Sequence, residues 1–121
     1  PFNINKHIYR NEAFSELDVD LVLSGHDHLY ARTYLMKGMK STGNASGLKK
    51  QGETLYLSGT SSTGSKFYEK ESGKKGYIAF YDGETEKTPL ISAITIQGKT
   101  LTIKTVRTTD MSVFDEITIR K

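Results

Sequence analysis

Two histidines one residue apart, His26 and His28 in S-G-H-D-H-L-Y-A-R-T, are the residues of this chain best suited by type and spacing to chemistry. In an extended segment, positions i and i+2 lie on one side, roughly 6.5–7 Å apart at the backbone. Both imidazoles then point one way and Asp27 the other. Imidazole nitrogen reaches a metal at about 2.0–2.1 Å, so two such rings can share one ion or hold one each of a pair about 3.5–4 Å apart. The bland alternative is a pair of half-exposed histidines at the end of a strand. What favours the metal is the nearly continuous apolar run V-D-L-V-L before them, with Gly25 free to turn the chain, because sites in α/β sheets form at the carboxyl ends of strands.

Any metal must be bound without thiolate, since the chain has no cysteine. The elements that position the histidines follow from the apolar pattern. N-E-A-F-S-E-L predicts a short helix ending near Leu17, with Asn11 as a cap. V-D-L-V-L reads as a strand covered on both faces. A second strand runs through Tyr30, Arg32 and Tyr34, followed by a 16-residue Gly-, Ser- and Lys-rich loop from Lys37 to Gly52. E-T-L-Y-L-S-G is a strand in which Leu55 and Leu57 alternate with Tyr56, and it leads into a second polar loop of 17 residues, Thr60 to Gly76. After a strand from Tyr77 to Tyr81, Ile94 and Ile96 turn at Q-G-K into Leu101 and Ile103, a β-hairpin. A last β segment carries Val113, Ile117 and Ile119, with Phe114 and Ile117 breaking strict alternation as a bulge would.

At 121 residues the chain has the size of one domain or part of one. A net charge of +3, with 17 basic and 14 acidic side chains and no like-charged block, gives no support to nucleic-acid binding. Lys49, Lys50, Lys66, Lys70, Lys74 and Lys75, interrupted by acidic residues, read as solvated loop surface. No stretch approaches the roughly 18 apolar residues of a membrane span, and no signal-peptide hydrophobic segment is expected here. One helix cannot cover both faces of a buried strand, and loops of 16 and 17 residues are long for a compact domain. The pattern reads as the end of something larger.

V-D-L-V-L-S-G-H-D-H-L-Y-A-R-T-Y resembles the last metal-binding motif, G-H-x-H, of the calcineurin-like metallophosphoesterases, in the form seen in purple acid phosphatase-like members. The likeness continues through G-E-T-L-Y-L-S-G-T-S-S-T-G-S-K, K-G-Y-I-A-F-Y-D-G-E and the closing strands, where Asp115 stands as in many members. It covers most of the chain from about Leu17. The resemblance implies an α+β, mostly β fold: the carboxyl-terminal half of a two-sheet sandwich with one short helix, residues 1–121 forming a single fragment. It implies that His26 binds one metal of a dinuclear centre and His28 the other, the ions being iron, zinc or manganese. The parent would hydrolyse phosphate esters by attack of a metal-activated hydroxide. The family's upstream motifs, D-x-H, G-D and G-N-H-D/E, are absent from this chain, and His7 is a weak match to the remaining histidine. Two ligands do not complete a site, so this chain alone is expected to bind metal weakly and not to catalyse. Its partners would be a phosphate-ester substrate and the missing amino-terminal half, with self-association of the exposed fragment expected. The resemblance leaves a secreted or cell-envelope location open.

Other features weigh less. G-T-S-S-T-G-S-K fails as a nucleotide loop, because Ser65 separates Gly64 from Lys66 and Phe67 takes the place of the magnesium-binding hydroxyl. Its Ser61 and Ser62 are candidates to meet a substrate phosphate, against a plain glycine-rich connection. Tyr30 and Arg32 are candidates to orient substrate or support the ligands, against a core tyrosine and an arginine paired with a carboxylate. Asp18 and Asp20, at the other end of the strand, read as solvated. The competing classes are a β-rich binding module with an incidental histidine pair and a degenerate relative that keeps the fold without catalysis.

Overall fold

The computed structural model describes residues 8–25, 29–60, 62, 75–82 and 88–121. One helix, α1 (Ile8–Glu16), precedes ten strands: β1 (Leu21–Ser24), β2 (Tyr30–Thr33), β3 (Met36–Lys37), β4 (Lys40–Ser41), β5 (Gly47–Leu48), β6 (Glu53–Ser58), β7 (Ile78–Asp82), β8 (Leu90–Gln97), β9 (Thr100–Arg107) and β10 (Val113–Arg120). They form two sheets. In the first, β6 lies between β1, parallel on one edge, and β2 and β3, antiparallel and end to end along the other, with β7 beyond β2 and β4 beyond β3. The second runs β5-β10-β9-β8.

Strand β6 is the centre because its alternation serves two cores. Leu55 and Leu57 face the second sheet and pack with Tyr30, Leu35, Leu90, Ile103, Ile117 and Ile119. Tyr56 points the other way, into a smaller cluster with Met36, Phe14, Val22, Met39 and Tyr77 beneath α1. Truncating Leu55 or Leu57 to alanine would cost about 2–5 kcal/mol by lost transfer energy and cavity formation. Between β2 and β3 the ladder breaks, and the Thr33 hydroxyl accepts the Tyr56 N–H at 3.1 Å, so no buried donor is orphaned there.

The predicted hairpin is β8–β9, closed by Gly98 (φ 59) and Lys99, the arrangement a two-residue loop with glycine first requires. The predicted bulge appears as a register shift between Val113 and Asp115. Other expectations are corrected. Asn11 is not a cap: α1 starts earlier, and Asn11 is buried with its amide donating to Met39 Sδ at 3.1 Å. The loop from Lys37 to Gly52 is partly ordered into sheet, because Gly38 (φ 57) turns β3 back on β4 and Leu48 reaches β10 through β5. β1 is not deeply covered: among the described residues it pairs only with β6, and Leu23 is 57% exposed.

A nine-residue helix is marginal by itself, so α1 depends on its contacts. Phe14 meets the Tyr56 ring at 6.4 Å between centroids, and Ser15 Oγ donates to Gly52 O at 2.6 Å. The helix stops in a Schellman turn, with Val19 N–H on Phe14 O and Asp18 N–H on Ser15 O. Asp18 occupies the left-handed position (φ 55) that glycine usually fills. Its carboxylate accepts from Lys49 Nζ at 2.6 Å and from Gly52 N–H at 2.8 Å, which holds it there. Asp18 and Asp20 are therefore half-buried partners of Lys49, whose side chain is only 1% exposed, and neither acid is merely solvated.

Candidate functional site

The parallel register of β1 and β6, Leu21 on Leu55 through Ser24 on Ser58, ends the two strands at one level. Gly59 N–H reaches Ser24 O at 3.4 Å, and the Ser24 hydroxyl donates to Leu57 O at 3.4 Å. The segment G-H-D-H thus leaves β1 beside the place where the glycine- and serine-rich segment leaves β6. Two connections that are 34 residues apart in sequence, counting Gly25 to Gly59, start side by side. The sequence carries a signal for this that composition and motif reading missed. L-V-L-S-G (Leu21 to Gly25) and L-Y-L-S-G (Leu55 to Gly59) are two copies of one short pattern, and the copies pair with each other in register.

A cleft of about 270 Å³ opens at this end. Ser24, Gly59, Thr60 and Ser62 line one side, Leu90, Ser92 and Ile94 of the second sheet the other, with Tyr30 and Leu57 at its inner wall. Hydroxyls on one wall and mainly aliphatic side chains on the other suit a ligand with a small polar group and an apolar body. Gly25 has an ordinary φ, and an added Cβ would meet nothing among the described residues, so the sharp turn expected of it is not a left-handed one.

His26, His28 and Ser61 lie outside the described residues, as does His7. Ser62 is exposed and on the cleft. Tyr30 and Arg32 are buried and brought together on one acceptor. Arg32 Nε and Nη2 donate to Asp115 Oδ2 and Oδ1 at 2.7 and 3.1 Å, and the Tyr30 hydroxyl donates to Oδ2 at 2.8 Å. Burial pushes the Tyr30 hydroxyl well above its ordinary pKa. Tyr30 Oη lies 3.3 Å from Thr105 Oγ1, which lies 2.7 Å from Ser92 Oγ on the cleft. Ser24, Thr60 and Ser92 were not singled out from sequence, for isolated hydroxyls carry no pattern until the strands are paired.

Among the described residues no three or more His, Asp or Glu side chains converge as a metal site would require. The donors that the described residues offer at this end are neutral hydroxyls, and the two imidazoles of G-H-D-H lie outside them. Two imidazoles fit part of a divalent-metal ligand set, and catalytic zinc sites take three protein ligands, so further ligands must come from elsewhere.

No family model matches the sequence, and no curated protein matches it. Among solved structures, the chain is similar to a purple acid phosphatase isolated from yellow lupin (Lupinus luteus) seeds, with a TM-score of 0.74 and 19% identity over 91% of this chain. The likeness is one of fold: mostly β, two sheets, one short helix. The chain spans 19% of the length of that phosphatase.

Proposed function

We propose that this chain is the carboxyl-terminal part of a dinuclear-metal phosphoesterase, with His26 and His28 each a ligand to one ion. The observation that carries the reading is that β1, which leads into G-H-D-H, ends at Ser24 level with the end of its parallel partner β6, where Ser24, Gly59, Thr60 and Ser62 line a cleft. The fold likeness to a purple acid phosphatase supports it. Iron, zinc or manganese, when bound, would supply Lewis-acid activation of water and of the phosphate ester. This chain's part is to present two imidazoles, to offer Thr60 and Ser62 to phosphate oxygens, and to line the leaving group's path with Leu90, Ile91 and Ile94. With two ligands the chain by itself holds metal weakly and does not turn over. Leu23, Ile91, Ile94 and Ile96, all exposed, supply the apolar surface for the expected contact with a missing half or with a second copy.

Metal content and p-nitrophenyl phosphate hydrolysis, measured on the full-length parent beside His26→Ala and His28→Ala, test the reading. Loss of metal and of rate in both folded variants supports it. Full occupancy and rate in both would leave the pair as strand-end decoration.

A further inference from the structure

The strand that follows the histidine segment is short, and its ladders are uneven. β2 is four residues long, with two pairings to β6, Ala31 on Ser58 and Arg32 on Leu57, and a ladder to β7 from Tyr30 on Asp82 to Thr33 on Ile78 whose register shifts after Arg32. A slip of one residue in so short a ladder would turn every side chain to the other face. Beside these ladders, a side-chain clamp ties β2 to the opposite sheet. Asp115 on β10, in the opposite sheet, takes both prongs of Arg32 and the Tyr30 hydroxyl, and Tyr30 and Arg32 are the two residues of β2 that face that sheet. The pair is nearly dry, with Arg32 and Asp115 side chains 9% and 7% exposed. Three rings close around it: Tyr30 meets Phe80 at 5.7 Å and Phe114 at 5.2 Å, both edge-on, and Phe80 meets Phe114 at 5.3 Å.

Phe114 and Asp115 are consecutive, yet both reach Tyr30. In a regular strand they would point to opposite faces, and the bulge between Val113 and Asp115 is what aims them together. A buried ion pair adds little stability over an apolar pair of the same volume, so what it adds here is geometry. The bidentate fork fixes both the distance and the rotation of β2, which a point charge or an apolar contact would not.

We infer that Asp115 is a positioning residue that acts through Tyr30 and Arg32 to set the register of β2, and so to fix where the G-H-D-H segment ends. Tyr30 is two residues beyond His28. The inference deepens the proposed metal-ligand role of His26 and His28 and rests on it for its functional meaning.

The test compares the whole chain with Asp115→Asn and with the apolar pair Arg32→Met plus Asp115→Leu, which keeps the core filled if the first variant does not fold. Ring-nitrogen NMR signals of His26 and His28, assigned by single alanine variants, are read beside the amide signals of β9 and β10 and a cobalt(II) titration. The expected result is ring signals that move to free-histidine positions in the clamp variants while the β9 and β10 amides stay in place. Cobalt affinity should fall about tenfold or more, the usual scale for lost outer supports of a metal ligand. Ring signals of a folded clamp variant that coincide with those of the wild type would overturn the inference. Cobalt binding indifferent to His26→Ala and His28→Ala would instead sink the ligand assignment, and the ring signals would still judge the clamp.

Discussion

Two ionic groupings hold this molecule together, and they do it differently. Where β2 meets β10, Arg32, Asp115 and Tyr30 form a closed group inside the sandwich, held by a planar fork, a hydroxyl bond and three packed rings. At the amino end of β1, Lys49 lies between Asp18 at 2.6 Å and Asp20 at 3.0 Å, and Lys121 reaches Asp20 from solvent at 2.9 Å. There the lysine is buried and the acids are about a third exposed. The first grouping fixes orientation; the second neutralises charge where helix, loop and chain end meet. A planar donor with water excluded fixes orientation more closely than a point charge does.

Breaking the clamp should show the largest effect. Arg32→Ala leaves Asp115 buried without its cation and should cost about 3–5 kcal/mol, a large share of a domain's stability, read as a lower urea midpoint at unchanged slope. A loss below about 1 kcal/mol, the scale of surface pairs, would mean that water reaches Asp115 and would erase the contrast. Lys49→Met should cost less, about 1.5–3 kcal/mol, because the methionine keeps the packing of the stem while the acids left behind still meet water and Lys121. If the Lys49 variant proves the more damaging of the two, the hub and not the clamp is the tighter structure.

Much of the fold was legible because its strands carry clean alternation. Leu55, Tyr56 and Leu57 announce a strand with two faces, and Ile94 to Ile103 announce a hairpin with glycine at its turn. The places where reading failed are those where one distant partner decides. Asp18 looked like a solvated acid, since nothing local shows that Lys49 will be buried against it from 31 residues away. Asn11 looked like a cap because the helix contacts to Met39 and Gly52 that extend α1 are tertiary. V-D-L-V-L looked deeply covered because an apolar run states what a strand can tolerate and not what lies on it. At the candidate site the histidine motif was plain by its spacing, whereas the cleft wall came from pairing two L-x-L-S-G copies that only the parallel register unites.

The smallest effect is the one that separates the groupings by pH. Asp18 is held at about 2, below its ordinary 3.8, first by the hydrogen bond from Lys49 and then by the Gly52 N–H. A carboxylate lowered on folding stabilises the fold fully above its unfolded value and stops doing so as pH falls through its folded value. The hub should therefore weaken between about pH 4 and pH 2 and, above that window, hold until the alkaline range, where Lys121, raised by its bond to Asp20, gives up its proton. Asp18→Asn keeps a residue tolerant of the left-handed backbone but removes the charge, so urea midpoints of this variant should fall less steeply than wild type from pH 4 to pH 2. Some slope must remain, because Asp110 is also lowered, by the Ser112 hydroxyl and amide at the β9–β10 turn, and Asp110→Asn should remove that part separately. Parallel wild-type and Asp18→Asn curves across the window would show that Lys49 is held by Asp20 alone, and the hub would then be a single pair rather than a shared cation.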